Sequence, residues 1–411
     1  MQPRPLDLLR RADWLTRDRV VAYSGVLFAL ELLILVFLAL WQHGFFAAGV
    51  HSPASDFASF YAAGKLALAG TPQLAYDQAA HYLAQQQATG TLAPHQFFFY
   101  PPVYLLLCAP LATLPYLPAF AAFQVVTLAL FVAMMRSLLR ERGADWLLPL
   151  LAFPAVFWTI GLGQNAFLNA ALFGGFTLLL QRRPLIAGML LGGLCYKPHL
   201  GLLVPVALLA ARQWWAFVGA AVVVVALVGV SIGLFGWGTW AAYLAAFSQS
   251  DRVYATGAID FAGIVTPFGA ARLLGIPADV AYAVQAVITA IMVVLIASIW
   301  LRASSHNLRC AVLLAATLLA VPVALLYDQL LLLVAIGWLL REARPTGLLT
   351  WERIVLLAIY PLALVSLPLG QSTHIPLGLL VTVAVLGLCL RRAWQSIPTR
   401  RPYAAPLGAT P

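Results

Sequence analysis

The sequence carries little charge. Only 9% of its 411 residues are charged, whereas 63% are hydrophobic. A water-soluble protein of this length needs more charged side chains to cover its surface, so this composition excludes an ordinary soluble globular protein and indicates that lipid is the main solvent. Lysine is especially scarce, because Lys65 and Lys197 are the only lysines among 24 basic residues. The net charge of +10 does not indicate nucleic-acid binding, since the arginines are dispersed between apolar segments.

Cysteine and metal-binding patterns are also scarce. The four cysteines all lie in apolar stretches and none has zinc-site spacing, which predicts small buried side chains. No Asp-x-Asp motif occurs, and the histidines expected outside the membrane do not cluster at ligand spacing. We therefore expect neither a metal nor another cofactor. Motifs that bind nucleotide phosphates are missing as well.

Long apolar runs dominate what is present. The first, residues 20–41, is too long for a cleavable signal peptide and predicts a retained anchor. Residues 98–114 are also apolar, but Pro101, Pro102 and Pro110 interrupt them, so we expect a re-entrant or interfacial segment there. The predicted class is an all-α integral membrane bundle of about twelve spans. These spans are 20–41, 117–136, 146–161, 165–181, 185–197, 199–212, 214–235, 278–301, 308–326, 328–341, 353–369 and 376–391.

The basic residues predict the orientation. If both termini are cytoplasmic, 20 of the 24 basic residues lie inside, and only Lys65, Lys197, Arg252 and Arg272 lie outside. Cytoplasmic loops are enriched in arginine and lysine, so this imbalance favours that topology. The residue usage, rich in alanine, leucine and arginine, suggests a bacterial protein of the cytoplasmic membrane.

The predicted spans belong to one transmembrane domain, residues 1–391. Residues 42–97 form the first external loop, in which 57–69 and 76–87 are expected to be interfacial helices. Residues 236–277 form the second external loop. Residues 392–411 are basic with several prolines, and we expect a disordered cytoplasmic tail.

Polar residues from separate turns fall together on the external side of this topology. Their convergence is typical of an active site at one membrane face. The short spans around residues 165–212 suggest a site recessed into the outer leaflet. The residues are Asp56, Gln164, Asn165, Lys197, His199, Tyr327, Asp328 and His374. Glu31 lies apart from them in the middle of the first span, and we have no partner for it.

Several of these residues have alternative roles. Asp56 is either the N-cap of the helix that follows or an acid that accepts a proton from an attacking hydroxyl. Lys197 either extends toward the lipid headgroups or binds a phosphate, together with the nearby His199. Asp328 is either a helix cap or a ligand for sugar hydroxyls, and the same alternatives hold for Gln164 and Asn165.

The other candidates rest on their positions alone. Tyr100, beside two prolines, is either a structural corner or part of a lipid groove. Arg252 and Arg272 are further candidates for phosphate binding. His374 is either an interfacial histidine or a sugar or acceptor ligand.

A series of short segments resembles the polyprenol-phosphate-sugar-dependent glycosyltransferases of family 87. The resemblance extends over roughly residues 50–340, and the series as a whole is more specific than any one segment. The last two spans and the tail show none of it. The segments are Asp56-Phe57-Ala58-Ser59-Phe60-Tyr61 followed by Tyr76-Asp77, Phe99-Tyr100-Pro101-Pro102 continuing to Pro110–Pro115, Gly163-Gln164-Asn165, Arg183-Pro184 through Gly188, Lys197-Pro198-His199 and Tyr327-Asp328.

The resemblance implies a GT-C fold, a sugar donor carried on polyprenyl phosphate, and transfer with inversion. It assigns the role of general base to Asp56. The missing nucleotide-phosphate motifs agree with a lipid-linked donor. The predicted function is transfer of a hexose, with mannose as one candidate, to a lipid or glycan acceptor of the cell envelope. A transporter or flippase of lipid-linked sugars and a non-catalytic subunit of an envelope assembly are the alternatives.

Overall fold

The computed structural model describes residues 5–42, 56–89, 95–140, 145–255, 259–302 and 305–395. Within these ranges the chain is helical and contains no β-strand, which confirms the predicted all-α class. The α-helices are α1 (Pro5–Arg11), α2 (Arg17–Gln42), α3 (Phe57–Leu68), α4 (Gln78–Thr89), α5 (Leu105–Leu111), α6 (Tyr116–Leu139), α7 (Leu147–Leu151), α8 (Pro154–Leu162), α9 (Ala166–Leu179), α10 (Pro184–Gly192), α11 (Val204–Ala210), α12 (Trp214–Phe235), α13 (Trp237–Ala255), α14 (Pro267–Leu273), α15 (Ala278–Leu301), α16 (His306–Ala320), α17 (Leu330–Glu342), α18 (Glu352–Thr373) and α19 (Leu377–Gln395).

Six of these helices, α2, α6, α12, α15, α18 and α19, are long and apolar enough to cross a membrane. The chain is therefore a multi-pass membrane protein. Exposed apolar side chains identify surfaces that face lipid, such as Val26 on α2 (72% exposed) and Val225 on α12 (71%). Glu31 on α2 is buried, and this helix packs against α7 and α8.

The other six predicted spans correspond to shorter helices. At 1.5 Å per residue, the 14 residues of α9 extend about 21 Å, less than the roughly 30 Å thickness of the hydrocarbon core. Proline marks several of the breaks, because it lacks an N–H group and restricts the residue before it. Pro154 begins α8 and Pro184 begins α10, while Pro198 begins a short 3₁₀ turn. The number of twelve spans is not confirmed.

Residues 98–114 form only short elements, as their prolines predicted. A 3₁₀ turn at Pro102–Tyr104 leads into α5, which has seven residues. The preceding helix α3 packs against α5, so closely that a Cβ atom on Gly64 would overlap the carbonyl oxygen of Cys108. Residues 57–64 of α3 are all buried, so most of this helix packs inside the protein, whereas Lys65 and Leu68 near its end are exposed. Its position at the membrane interface stays a prediction.

Residues 236–277, which we predicted to be the second external loop, contain helices of their own. These are α13 and α14, and residues 264–266 pair with the turn before α17. The Val265 N–H donates to the Ala324 carbonyl (2.9 Å), and the Thr266 hydroxyl donates to the Pro322 carbonyl (2.7 Å). This pairing fixes the turn on which Asp328 lies.

The predicted tail begins later than expected. Helix α19 continues to Gln395, and Arg392 is buried in an ion pair with Glu352, with 2.6 Å between Nε and Oε1. Residues 392–395 are therefore part of the folded domain, and the expectation of a tail starting at residue 392 was wrong. Residues 396–411 lie outside the described part of the chain.

Candidate active site

The Asp56 carboxylate is held by a side chain that lies 108 residues further along the chain. Nε2 of Gln164 donates to its Oδ2 at 2.5 Å. Asp56 immediately precedes α3 but makes no side-chain hydrogen bond to it, and its backbone is already helical, with φ −56° and ψ −20°. Capping residues normally have extended backbone and bond to the helix N–H groups. The sequence left two roles open for Asp56, helix capping and acceptance of a proton. The geometry does not support capping.

Gln164 is itself oriented by several contacts. Helix α8 ends at Gly163, whose φ of +65° lies in the left-handed region that glycine adopts without strain. The Gln164 carbonyl accepts a hydrogen bond from Gln124 (3.2 Å), and its Oε1 accepts from the Asn165 N–H (3.3 Å) and the Tyr100 hydroxyl (3.5 Å). With Oε1 accepting these bonds, the amide nitrogen faces Asp56.

Three stacked tyrosines form an aromatic wall beside this amide. The ring of Tyr104 stacks on Tyr100 (4.5 Å between centroids) and on Tyr196 (4.9 Å). The Tyr104 hydroxyl accepts a hydrogen bond from Asn165 (3.2 Å), and the Tyr196 hydroxyl hydrogen bonds with the amide of Asn169 (2.6 Å). Of these five residues, the sequence analysis had singled out only Tyr100 and Asn165. Tyr104 and Tyr196 could have been singled out from the sequence, because each lies within or beside a segment that carries the resemblance.

Lys197 is buried and paired. Its Nζ lies 3.0 Å from Oδ1 of Asp328, and it also lies over the Tyr327 ring, 5.1 Å from the centroid. The lysine side chain is only 6% exposed and the aspartate side chain 2%. Lys197 therefore does not extend to the headgroups, and its nearest anion is supplied by the protein.

Asp328 has two structural contacts. Besides the ion pair with Lys197, its Oδ2 accepts the N–H of Leu325 (3.2 Å) and closes the 3₁₀ turn Leu326–Gln329. The carboxylate thus caps its own turn and neutralises a buried lysine. The structure shows the capping role that the sequence had left as one of two alternatives.

The two clusters are electrostatically coupled. Burial raises the pKa of the Asp56 carboxyl above its ordinary value, whereas the hydrogen bond from Gln164 and the charge of Lys197 lower it. Asp56 is partly buried.

The remaining predicted residues lie around these clusters or apart from them. His199 is exposed and lies close enough to Lys197 and Asp328 to be influenced by both charges. Arg272 donates to the Ile276 carbonyl (2.8 Å) and lies over Phe261, so its known contacts are within its own loop. His374 is exposed at the end of α18. Arg252 lies on α13, but its side chain is outside the described part of the structure.

The described ranges contain no candidate metal site. No group of three or more histidine, cysteine, aspartate or glutamate side chains there could hold a metal ion. The absence of a cofactor stays a prediction.

Fold and site together define a multi-pass membrane protein in which a carboxylate, an amide and a buried ion pair meet between helices. In a comparison with protein families, the family described as glycosyltransferase family 87 matches residues 98–327. The match covers more than half of the chain and includes Tyr100, Gln164, Asn165 and Lys197. The chain therefore belongs to glycosyltransferase family 87, and the predicted resemblance is confirmed. No curated protein and no solved structure matches it.

Proposed function

We propose that this glycosyltransferase moves a hexose from polyprenyl phosphate to a lipid or glycan acceptor at the external face of the membrane, with mannose as one candidate and with inversion at the anomeric carbon. The proposal rests on the contacts of the Asp56 carboxylate. This carboxylate is not used to cap α3, is aimed by Gln164 at 2.5 Å, and lies in the field of Lys197.

The proposed reaction requires one base. Asp56 accepts the proton of the acceptor hydroxyl, whose oxygen forms a bond to the anomeric carbon on the face opposite the phosphate. The bond between that carbon and the phosphate oxygen breaks, and its electron pair leaves with the polyprenyl phosphate. Because this leaving group is a stable anion, it needs little protonation, and a single carboxylate suffices. Gln164 occupies Oδ2 and leaves Oδ1 to take the proton.

The Lys197 ammonium and the His199 imidazole are the groups that we assign to the leaving phosphate. Only one of the three N–H donors of Lys197 is needed for Asp328, and His199 is exposed beside them. In this scheme Asp328 positions Lys197 and does not itself hold the sugar. Asn165 and the aromatic wall of Tyr100, Tyr104 and Tyr196 are then the candidates for contact with the sugar ring.

The external location rests on the charge distribution. The predicted topology leaves four basic residues outside, and one of them, Lys197, lies in the proposed site. It forms an ion pair with Asp328, and its charge lowers the pKa of Asp56. A proton-accepting carboxylate on that side would act on acceptors of the envelope. Mapping of cysteine accessibility from each side of sealed vesicles tests this assignment, and labelling of an introduced cysteine at Ser372 from the cytoplasmic side only would contradict it.

Stereochemistry tests the proposed mechanism. We expect the product glycoside to have the anomeric configuration opposite to that of the donor, because attack and departure occur on opposite faces. The one-bond coupling constant between C1 and the anomeric proton of the isolated product, measured by NMR, reports the configuration for mannose as well as for other hexoses. Retention of configuration would contradict a one-step displacement with Asp56 as base.

Removal of the Gln164 amide should move the pH dependence of transfer. As a base, Asp56 must be ionised, so activity falls as the pH drops through its raised pKa. The hydrogen bond from Gln164 lowers this pKa, so Gln164→Leu should raise it and shift the acid limb of kcat/KM to higher pH. Gln124→Leu is the control, because Gln124 contacts the Gln164 main chain and not the carboxylate. If the acid limb of kcat/KM is unchanged in Gln164→Leu, Gln164 does not influence the ionisation of Asp56, and this prediction is wrong.

A further inference from the structure

A cavity of about 620 Å³ lies between α6, α9, α10 and α17, and none of the candidate active-site residues lines it. We call it the arginine groove. Its rim carries four arginines, and its wall is apolar. The rim consists of Arg140, Arg182, Arg341 and Arg344, and the wall includes Leu130, Leu168, Leu172 and Leu190.

The rim is strongly positive. No aspartate or glutamate is present among the described residues that line the groove. Arg140 and Arg182 are exposed, and neither forms an ion pair with another residue that the structure describes. The guanidinium of Arg341 lies over the Trp338 ring, 5.3 Å from its centroid, which holds it at the mouth of the groove.

The acid of α17, Glu342, lies at the edge of the groove and is bonded to two residues at the start of α16, of which Asn307 lines the groove. Oε2 of Glu342 accepts hydrogen bonds from the Ser305 hydroxyl (2.8 Å) and from the Asn307 amide (2.8 Å), at the start of α16. It makes no ion pair with Arg341 in the described structure. Arg140, Arg182 and Arg341 form no ion pair with a described residue, so the rim keeps a positive charge that favours an anion as a ligand.

The wall of the groove belongs to the lipid-facing surface. Leu130 is 49% exposed on α6, one of the helices long enough to span the membrane. The short helices α9 and α10 leave room beside it, and Leu172 and Leu190 continue the apolar wall. A ligand of this groove therefore needs an apolar chain as well as a negative charge.

We propose that the arginine groove binds one anionic phospholipid, with its phosphate on the arginines and the upper part of an acyl chain along the leucines. Arginine binds phosphate with paired, charge-assisted hydrogen bonds, and basic pockets between membrane helices commonly bind anionic headgroups. The charge-based topology places all four arginines at the cytoplasmic end of their helices, where the anionic lipids of that leaflet are available. The site is separate from Asp56, so its occupancy does not depend on the proposed reaction.

The test counts bound lipid on the full-length protein in detergent micelles by native mass spectrometry. Phosphatidylglycerol and phosphatidylcholine with the same acyl chains are added in turn. We expect one phosphatidylglycerol to bind at least about tenfold more tightly than phosphatidylcholine. The double variant Arg182→Gln/Arg341→Gln should lose this preference, whereas Arg136→Gln should keep it, since Arg136 is an exposed arginine of α6 outside the groove.

Two further measurements distinguish a lipid site from other outcomes. Leu172→Trp fills the apolar wall without changing the charge, and we expect it to weaken phosphatidylglycerol binding while thermal unfolding confirms an intact fold. Glycerol phosphate, which has the charge and no acyl chain, should not displace the lipid at equal concentration. Displacement by glycerol phosphate would identify an anion site alone and overturn the proposal. Equal binding of the two lipids, or unchanged binding in the double arginine variant, would also overturn it.

Discussion

Asp56→Asn is expected to reduce sugar transfer by about 10²- to 10⁴-fold, the contribution that a positioned general base usually makes. The substitution keeps the size of the side chain, and its amide oxygen can still accept the hydrogen bond from Gln164. It removes the negative charge and with it the ability to take a proton from the acceptor. Because Asp56 makes no capping bond to α3, we expect the thermal unfolding temperature to change little.

Asp77→Asn is the matched control for this experiment. Asp77 is a second acid of the same external loop, and its Oδ1 caps α4 by accepting the Ala80 N–H (2.8 Å). Asparagine caps helices about as well as aspartate, so both stability and transfer should stay near the wild-type values. Wild-type turnover by Asp56→Asn, or an equal loss in both variants, would refute the role of Asp56 as the base.

Loss of either partner of the Lys197–Asp328 pair is expected to lower the free energy of unfolding by about 3–5 kcal/mol, because it leaves an uncompensated buried charge. Lys197→Met removes the cation. Asp328→Asn removes the anion and retains an oxygen for the Leu325 N–H. The double variant buries no net charge, so it should be more stable than either single variant. Denaturant titration in micelles measures all three.

A surface ion pair provides the control for this cycle. Arg353 lies 2.9 Å from Asp13, and their side chains are 35% and 71% exposed. Solvent screens such a pair, so Arg353→Met should cost no more than about 1 kcal/mol. If the Lys197–Asp328 double variant regains stability but not transfer, the charge of Lys197 is needed for the reaction. If it regains both, the pair is purely structural.

The long helices could be predicted from the sequence with little ambiguity. A run of about twenty apolar residues has few alternatives to a membrane span, and the six helices that are long and apolar enough to cross a membrane lie where these runs are. The short helices were harder to assign, because a buried helix of the protein interior and a membrane span are equally apolar. Helices α16 and α17 show this, since their apolar residues are almost all buried inside the protein.

The contacts within the site could be predicted only in part. Following the charges placed Asp56, Gln164, Lys197 and Asp328 on one side of the membrane, and the structure has them in two neighbouring clusters. The pairing of Lys197 with Asp328 was not predictable. The two residues are 131 positions apart, and a sequence does not show which distant charges meet in the fold. The sequence therefore left a role in substrate binding open for each of them and gave no sign that they pair with each other. The burial of α3 was missed for a similar reason, since its apolar face fits lipid and protein equally well.

The most direct test of the proposed function is a single-turnover assay on purified wild-type protein with two labelled donors in parallel, polyprenyl-phosphate hexose and the corresponding nucleotide hexose, with membrane lipids as acceptor. We expect label in a new glycolipid, together with an equal amount of polyprenyl phosphate, from the lipid-linked donor only. Transfer from the nucleotide sugar, or release of free hexose with no glycosylated product, would contradict the account.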